Sequence, residues 1–517
     1  MAFFVHSAAL LGVDAYRVEI QVDARPGTWF FNIVGLPDGA VREAKDRVQA
    51  ALYASGYYLP ERHITVNLAP SDTRKEGSGF DLPIAIGILT GISLISNQDR
   101  LSQYAIIGEL ALDGSVRGVR GVLPVAMAVR EMGLQGVIVP AANVREAAIV
   151  KGIEVIPVSH LTQVVEFLRG DLDLAPVRVD ATGLLAGGAL RMEEDFNQVA
   201  GQNHAKRAME IAAAGGHNII LIGPPGSGKT MLAKRMITIL PDMCLEEALE
   251  VTRIHSIVGR VPSEVGIVTR RPFISPHHTI SYAGLAGGGS SPRPGMISLS
   301  HRGVLFLDEF PEFSRPVLEV LRQPIEDGNV TLVRALGSVT FPTDFTLVAA
   351  MNPCPCGYYG DPFHECICSP VQISRYHQRI SGPLLDRIDL HVEVPAVRYM
   401  ELNAKNRGES SSQIRERVLA ARIRQGTRFV NTDTRCNAGM TVKQLRALCV
   451  LDADGHRLMQ SAMEKLGFSA RAHDRVLKVA RTIADLDGSR EIRAPHISEA
   501  VQYRGLDRAS VIHAVSG

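Results

Sequence analysis

"GPPGSGKT", residues 223–230, is the stretch that decides the fold of the chain. The apolar segment "NIILI" precedes it and the helical segment "MLAKRMITIL" follows it, which is the strand–loop–helix context of a phosphate-binding P-loop. The glycines let backbone N–H groups turn towards phosphate oxygens, and the helix N-terminus adds a favourable dipole. We therefore predict an ATP site in which Lys229 reaches the β and γ phosphates and Thr230 binds Mg²⁺. The other residues predicted to wrap the phosphates are Gly223, Pro224, Pro225, Gly226, Ser227 and Gly228.

Two apolar strands downstream of the P-loop end in polar side chains. "VLFLDEF", residues 304–310, has the form of a Walker B element, in which Asp308 binds Mg²⁺ through water and Glu309 orients or activates the attacking water. Asn352 ends the next strand, "FTLVAAM", where it can position that water, because ligands sit at the carboxyl ends of strands in such sheets. Each pattern alone is also typical of a solvated strand end or a turn cap. The P-loop upstream favours the functional interpretation.

Three arginines are candidates for sensing phosphate. Arg387 lies between Asp386 and Asp389, either in a surface salt-bridge cluster or as a finger presented to the γ-phosphate of a neighbouring subunit. Arg471 and Arg475 are four residues apart on a predicted helix and so share one face. Either of them can be a second phosphate sensor, and a solvated basic stripe is the alternative.

Four of the seven cysteines fall between residues 354 and 368, directly behind the strand that ends at Asn352. Cys354, Cys356, Cys366 and Cys368 form two close C-x-C pairs, which can converge into a tetrahedral thiolate site for Zn²⁺. His364 can replace one of the ligands. Buried reduced thiols without metal are the alternative, since free cysteine packs as a small hydrophobe.

The bulk properties of the chain exclude several protein classes. Its 517 residues are too many for one hydrophobic core, and 46% hydrophobic with 21% charged residues describes a globular protein. A net charge of +1 gives no global attraction for a polyanion, so any contact with DNA needs a local basic surface. The N-terminus lacks a basic signal region, and the longest apolar run, residues 82–96, is too short to span a membrane. We expect a cytoplasmic protein with reduced thiols and no membrane contact.

Periodicity divides the chain into four segments. Residues 1–169 alternate strand and helix patterns, with Asp38 as the N-cap of a helix that stops near Gly56. Residues 170–196 lack periodicity and are predicted to be a linker. Residues 197–400 form the α/β unit with the P-loop, and residues 401–517 are predicted to form a helical lid. The predicted fold class is α/β.

From Gly201 onward, "GPPGSGKT", "SLSHRGVLFLDEF", "LRQPIEDGNVTLVRA", "AAMNP" and "GPLLDRIDL" resemble the magnesium-chelatase-like branch of the AAA+ ATPases. With the N-terminal segment included, nearly the whole chain resembles the ComM or YifB-type family. The resemblance implies an AAA+ P-loop core with a parallel sheet and a homo-hexamer in the presence of ATP and DNA. It also implies a helicase that promotes branch migration of recombination intermediates during natural transformation, with recombination proteins as further partners. Carried onto this chain, it implies sensor 1 at Asn352, the arginine finger at Arg387 and sensor 2 at Arg471.

The N-terminal segment is similar to the proteolytic domain of Lon, an α+β unit like ribosomal protein S5 domain 2. The two matching stretches are "RKEGSGFDLPIAIGIL" and "IGELALDGSVRGVRGVLPVAMAVR". The serine position of that fold falls on Gly79 and its lysine position on Leu123. A Ser-Lys dyad needs an amine within reach of the hydroxyl, and no lysine occurs between residues 76 and 150, although Ser78 is adjacent. We expect a non-catalytic scaffold or DNA-handling module.

Two segments are candidates for contact with DNA. "GNVTLVRALGSVTFP", residues 328–342, alternates apolar residues on two arms and predicts a β-hairpin with Arg334 near its tip. The resemblance implies that such a hairpin projects into a ring pore, where an arginine can grip phosphates. The Gly- and Pro-rich loop at residues 275–295 offers His277, His278 and Arg293 as weaker candidates. A surface hairpin without a ligand is the alternative.

Three functions compete at this point. The first is an ATP-driven DNA translocase that migrates branched or strand-invaded DNA. The second is a motor subunit that drives insertion of Mg²⁺ into a porphyrin, disfavoured because such motors are expected to lack the Lon-like segment. The third is a regulatory ATPase whose N-terminal unit still cleaves peptides, disfavoured by Gly79 and Leu123.

Overall fold

The computed structural model describes residues 3–28, 30–188, 194–289, 292–334, 337–396 and 408–504. Its N-terminal unit is built on a seven-stranded mixed sheet. Across this sheet the strands follow the order Phe30–Val34, Arg62–Ala69, Asp14–Pro26, Phe3–Leu11, Tyr104–Ile106, Gly136–Pro140 and Glu154–Val158. Its helices are Gly39–Ala54, Asp81–Gly91, Gln98–Gln103, Val122–Glu131, Val144–Ala147 and Leu161–Arg169. A short ladder joins Glu109–Leu110 to Val116–Arg117, and 3₁₀ turns span Ser78–Phe80 and Ala141–Asn143.

The N-cap of one helix and the burial of another explain the sequence patterns of this unit. Asp38 caps Gly39–Ala54, because its Oδ1 accepts a hydrogen bond from Val41 N at 2.8 Å. The helix Asp81–Gly91 is buried along almost its whole length, which explains its uniformly apolar sequence. Within the described ranges, no helix combines the length and apolar character needed to cross a membrane.

A second sheet, with five strands, carries the P-loop. Its order is Phe273–Ile274, Val304–Leu307, Thr346–Met351, Ile219–Ile222 and Leu390–Glu393, and every pairing in it is parallel. Leu307 pairs with Ala349, and Met351 pairs with Ile222. The loops that follow these three strands therefore leave the sheet at one edge, as expected for a nucleotide site in a parallel sheet. The predicted P-loop core with a parallel sheet is confirmed.

Shorter elements surround this sheet. The helices of the core are Asn203–Gly215, Lys229–Ile239, Leu245–Ile257, Tyr282–Ala286, Met296–Leu299, Arg315–Glu319, Arg322–Asp327, Pro370–His377 and Gly382–Leu385. The predicted hairpin is present: Asn329–Arg334 pairs with Gly337–Pro342. A smaller ladder joins Gly287–Gly288 to Arg293–Pro294.

The C-terminal unit is helical, as predicted. Its helices are Ser411–Arg428, Val442–Leu448, Ala453–Leu466, Ala470–Leu486 and Ala494–Gln502. They share one hydrophobic cluster with the helices on one face of the five-stranded sheet. The helical unit and the ATPase unit are therefore joined by one continuous hydrophobic core and not by a hinge between two separate cores.

A buried ionic cluster also ties the lid to the core. Asp389, which is 2% exposed, pairs with Arg475 of the lid and lies 3.3 Å from His217 Nδ1. His217 Nε2 in turn lies 2.8 Å from Thr482 Oγ1 of the lid. Burial alone would raise the pKa of Asp389, but the charges and hydrogen bonds of Arg475 and His217 outweigh it and hold the pKa below its ordinary value.

The N-terminal unit packs on the helix Leu245–Ile257 of the core. Ser256 Oγ and the backbone N of Leu123 both donate hydrogen bonds to the buried carboxylate of Glu146, and burial raises the pKa of that carboxyl. An ion pair joins Asp14 to Arg253. The segment predicted to be a linker takes part as well, since it contains the helix Ala181–Gly188, and Ala181 packs in a cluster with Ile149, Met243, Ala248, Val251 and Ile267.

Replacing Asp389 with alanine should lower the free energy of unfolding by about 3 kcal/mol, since Arg475 would be left without its buried partner. Because the folded-state pKa of Asp389 is lowered, its contribution is complete above the unfolded-state pKa of about 3.9 and is lost as the pH falls below it. Urea titrations followed by circular dichroism should therefore show a larger difference between parent and variant at pH 7 than at about pH 3. Asp386→Ala is the matched control, with an expected change within about 0.5 kcal/mol. Equal losses for the two variants would contradict the assignment.

Candidate nucleotide site and cysteine cluster

The P-loop folds as its glycines require. Gly226 has φ +77° and Gly228 has φ +91°, backbone conformations that side chains rarely adopt. Gly228 is the N-cap of the helix Lys229–Ile239, so the N–H groups of the first helical turn face the loop. This arrangement can hold the phosphates of a nucleotide at a helix N-terminus.

The ammonium of Lys229 lies at the centre of the site. It donates hydrogen bonds to the carbonyls of Gly223 at 2.7 Å and Pro224 at 2.8 Å, and to Asn352 Oδ1 at 3.2 Å. Burial lowers the pKa of Lys229 to about 8, and the negative charge of Asp308 opposes that shift. Asn352 and the P-loop lysine are thus in direct contact although 123 residues separate them in the sequence.

Thr230, the residue after the lysine, is in contact with Asp308. Thr230 Oγ1 donates a hydrogen bond to Asp308 Oδ2 at 2.7 Å. A hydroxyl and a carboxylate oxygen in contact at a phosphate site are the protein ligands that Mg²⁺ accepts alongside water and phosphate. These two residues would hold the Mg²⁺ that shields the phosphate charge.

Glu309 follows Asp308 in a left-handed conformation, with φ +52°. Its Oε2 lies 2.9 Å from Nδ1 of His278. Sequence patterns placed His278 in a loop and suggested DNA as its partner, so this contact with the predicted water-activating carboxylate was missed.

The three candidate arginines are in different surroundings. Arg387 points into its own chain, where its guanidinium pairs with Glu326 at 2.7 Å and donates to Pro383 O at 2.6 Å. Arg475 is engaged by Asp389. Arg471 is exposed on the same helix and is not held by Asp389. The finger and the second sensor remain predictions.

Comparison with known proteins identifies the chain. Family models match at residues 195–402 (magnesium chelatase, subunit ChlI), 18–143 (subunit ChlI of Mg-chelatase) and 408–504 (magnesium chelatase, subunit ChlI C-terminal). The chain is 44% identical to competence protein ComM of Haemophilus influenzae, over 98% of this chain and 97% of the relative. It is also 44% identical to YifB of Escherichia coli, with the same coverage.

The chain belongs to the ComM/YifB family of magnesium-chelatase-like proteins. The resemblance inferred from the motifs is confirmed. The family is a branch of the AAA+ class, so the activity that membership implies is ATP hydrolysis. A partial likeness to the archaeal Lon protease of Methanocaldococcus jannaschii is also found, at 27% identity over 33% of this chain and 28% of the relative.

The cysteines of this ComM/YifB-type chain converge as the spacing predicted. The four Sγ atoms of Cys354, Cys356, Cys366 and Cys368 all lie within 4.8 Å of one another, and Cys354 is fully buried. Three of the pairs are 3.3 to 3.7 Å apart, close to the roughly 3.8 Å between sulfurs of a tetrahedral zinc site. His364 is exposed and lies 3.3 Å from Asp361 instead, so its prediction as an alternative ligand is wrong.

The cysteine loop touches the P-loop directly. Gly357 lies so close to Pro225 that a Cβ built on it would be 2.6 Å from Pro225 Cδ. Behind the loop, a ring nitrogen of His377 lies 2.9 Å from Pro353 O. The cluster therefore braces both the P-loop and the strand end that carries Asn352.

The N-terminal unit offers no Ser-Lys dyad at the positions that the Lon-like resemblance indicates. Gly79 has no side chain, and Leu123 is fully buried. The hydroxyl of Ser78 donates a hydrogen bond to Glu109. Lys75 immediately precedes the lysine-free interval 76–150 and donates a hydrogen bond to Thr73 O at 2.7 Å.

The two segments predicted to contact DNA both contribute residues to the lining of one cavity, Arg293 from the loop and Ser338 and Val339 from the hairpin. Apolar residues of the hairpin, Val330, Leu332 and Phe341, pack on Val13 of the N-terminal unit. Arg334 lies at the end of the hairpin ladder, and its side chain is outside the described set. A cavity of about 1210 Å³ beside the hairpin is lined by Arg42, Arg74, Arg120 and Arg293 and equally by Asp38, Asp72, Glu76 and Glu109. Its balanced charge does not by itself favour a polyanion.

Lys229→Ala should reduce ATP turnover at least about a hundredfold, because the charge that faces the transferred phosphate is lost. Glu309→Gln should reduce turnover by about the same factor or more while nucleotide binding is kept, since only the base is removed. Phosphate release and binding of a fluorescent ATP analogue measure the two effects. Lys234→Ala, exposed on the same helix, is the control and should resemble the parent. Full turnover in either Lys229→Ala or Glu309→Gln would contradict the assigned site.

Proposed function

We propose that this protein is an ATP-driven DNA translocase and helicase that promotes branch migration of recombination intermediates. The observation that carries the proposal is the continuity between the nucleotide site and the hairpin. The hairpin at residues 329–342 lies in the chain between the strand Val304–Leu307, which Asp308 follows, and the strand Thr346–Met351, which Asn352 follows. A change in phosphate contacts at either strand end can therefore be transmitted to the hairpin.

DNA is proposed as the polymer for two reasons. The relative from Haemophilus influenzae, similar over nearly its whole length, is named a competence protein, and we take this name to point to DNA as the polymer. An arginine near the tip of a hairpin gives a sequence-independent grip on phosphates. Single-stranded, forked or three-stranded DNA is the proposed substrate, in the cytoplasm, with recombination proteins as proposed partners.

A ring of six subunits is proposed as the working assembly. Such a ring would explain how Arg387, now paired with Glu326, could serve the nucleotide of a neighbour, provided that Arg387 exchanges partners on assembly. A ring also gives the hairpins a common axis along which to move a strand.

A chelatase motor is the second candidate function, and one observation favours it. The matching family models all carry the name of a magnesium chelatase subunit, including the one that covers residues 18–143. The N-terminal segment alone therefore does not separate the two functions. The translocase is preferred because ComM, which matches over the full length, is named for competence.

Zn²⁺ is proposed as a structural ion at the four cysteines. Four thiolates without an open position are typical of structural rather than catalytic zinc. The ion would fix residues 354–368 against Pro225 and thereby support the phosphate-binding loop.

Forked or three-stranded DNA should raise ATP turnover several-fold, and strand displacement should require hydrolysable nucleotide.

Arg334→Ala should weaken DNA binding and reduce by about one the slope of log affinity against log salt, since one phosphate contact is lost. Arg446→Ala, exposed on the lid helix Val442–Leu448, is the control.

Sedimentation with ATP and DNA tests for a ring. A turnover that no DNA changes but that porphyrin-binding partners raise would select the chelatase motor instead.

Metal analysis of the purified protein should find one Zn²⁺ per chain. Cys354→Ser and Cys366→Ser should each lose the metal and destabilise the nucleotide site, whereas Cys244→Ser, an exposed cysteine outside the cluster, should retain it. A parent protein purified without stoichiometric metal would refute the proposal.

A further inference from the structure

The N-terminal unit carries a further, smaller cavity that none of the sites above uses. It measures about 540 Å³, and its lining includes Tyr53, Tyr57, Tyr58 and Asp46. Tyr53 is 67% exposed and Tyr58 is 71% exposed, the highest values among the tyrosine and phenylalanine side chains that the structure describes. Asp38, at the other end of the helix that carries Tyr53, lines the cavity beside the hairpin. About 20 Å of helix separates the two cavities, so the smaller one is a distinct surface.

A glycine turn builds this cavity by folding the chain back over the helix that it ends. Gly56 has φ +80°, and its N–H donates a hydrogen bond to Tyr53 O at 3.0 Å. The N–H of Tyr57 donates to Leu52 O at 2.9 Å, which completes a Schellman motif. Tyr57 then packs against the hydrophobic core, whereas the next residue, Tyr58, is exposed. The backbone of the turn therefore fixes where the exposed rings lie.

The two exposed rings stand at right angles. The ring centroids of Tyr53 and Tyr58 are 5.3 Å apart, and the angle between the ring planes is 89°. Two perpendicular rings form the walls of a corner, in which one group can lie against both ring faces. The face of an aromatic ring carries partial negative charge and attracts a cation.

Asp46 supplies the charge of the cavity. It lies two helical turns before Tyr53, so the two side chains share one face of the helix. Its carboxylate is the one charged group in the lining, and within the described part of the chain no ion pair occupies it. A negative, aromatic cavity favours a cation, and the lining offers no basic side chain to the phosphates of DNA.

Arginine fits this chemistry better than lysine. The planar guanidinium stacks on aromatic faces and binds a carboxylate through two N–H donors, whereas an ammonium is a compact and strongly hydrated charge. A contact between a cation and an aromatic ring at an exposed site is weak by itself. A stable complex therefore requires that the cation belongs to a polypeptide, whose neighbouring residues add contacts in a cavity larger than one guanidinium group.

We propose that this cavity binds an arginine side chain in an exposed segment of a partner protein, with the guanidinium in the corner between Tyr53 and Tyr58 and paired with Asp46. The inference goes beyond the proposed function and does not depend on it. The N-terminal unit has Gly79 and Leu123 in place of a Ser-Lys dyad, so this site gives it a way to bind a polypeptide without cleaving it.

The test is fluorescence anisotropy with the full chain and a short labelled peptide of glycine, serine and alanine that carries two arginines. This peptide should bind, and the same peptide with glutamines in place of the arginines should not. The version with lysines should bind more weakly, since an ammonium lacks the plane that stacks on a ring.

Variants of the cavity separate the ring faces from the charge. Tyr53→Ala should weaken binding of the arginine peptide about fivefold, because one ring face is lost. Tyr53→Phe should remain within about twofold of the parent, since only the hydroxyl is removed and the ring face stays. Asp46→Asn should weaken binding about threefold and reduce its dependence on salt. Glu43→Gln is the matched control, because Glu43 is exposed on the same helix but does not line the cavity.

These variants should keep the thermal midpoint and the ATP turnover of the parent, because Tyr53 and Asp46 are both exposed. Equal binding of the arginine and glutamine peptides would overturn the inference. So would arginine-peptide binding that neither Tyr53→Ala nor Asp46→Asn weakens. Asp46→Asn changes only the charge, so it tests the site even if Tyr53→Ala alters the fold.

Three competition and assembly measurements distinguish other occupants of the cavity. Tetramethylammonium that displaces the labelled peptide as well as unlabelled arginine peptide does would assign the cavity to a small cation instead of a protein. A labelled single-stranded oligonucleotide that binds the parent more tightly than Tyr53→Ala would assign it to DNA bases. Sedimentation in which Tyr53→Ala reduces self-association would assign it to a second copy of the chain. Each of these results would overturn the partner-protein inference and leave the translocase proposal to its own test.

Discussion

The contact on which the site depends is that of the Lys229 ammonium with two P-loop carbonyls and the amide oxygen of Asn352. It is possible only because the strands Ile219–Ile222 and Thr346–Met351 are parallel neighbours with Ile222 opposite Met351. A shift of one residue in this register would turn the side chains of the strand to the other face and separate the two groups. The contact of the buried lysine with Asn352 therefore depends directly on the register of the sheet.

Support for this constraint comes from outside the sheet. The cysteine loop packs Gly357 against Pro225 and begins directly after Asn352. The same loop therefore adjoins both the P-loop and the strand end that meet at the ammonium of Lys229. On the far side, Asp389 joins the neighbouring strand Leu390–Glu393 to the lid through Arg475 and His217. The nucleotide site is thus held between a local brace and a buried ionic contact with the helical unit.

Parts of the molecule that depend on local sequence were predictable. The P-loop, the strand ends at Asp308 and Asn352, the hairpin and the convergence of the cysteines follow from residues close together in the chain. The contact of His278 with Glu309 was not, because the strand Phe273–Ile274 has only two residues and no visible periodicity. The partners of Arg387 and Arg475 could not be predicted from the sequence either, because both ion pairs depend on the packing of elements that are distant in the sequence. The segment of residues 170–196 looked unstructured because its helix Ala181–Gly188 is short and the rest of the segment shows no periodicity.

The junction between the N-terminal unit and the helix Leu245–Ile257 limits how the protein can be dissected. A fragment that starts at the ATPase core would uncover the side chains of Met243, Val251 and Ile267, which now pack against Ile149 and Ala181. It would also leave Arg253 without Asp14, and Ser256 without Glu146. Such a truncated polypeptide would be a poor substitute for the intact chain, because newly wetted apolar surface promotes self-association. The Lon-like N-terminal unit therefore covers apolar surface of the ATPase core that the isolated core would expose to water.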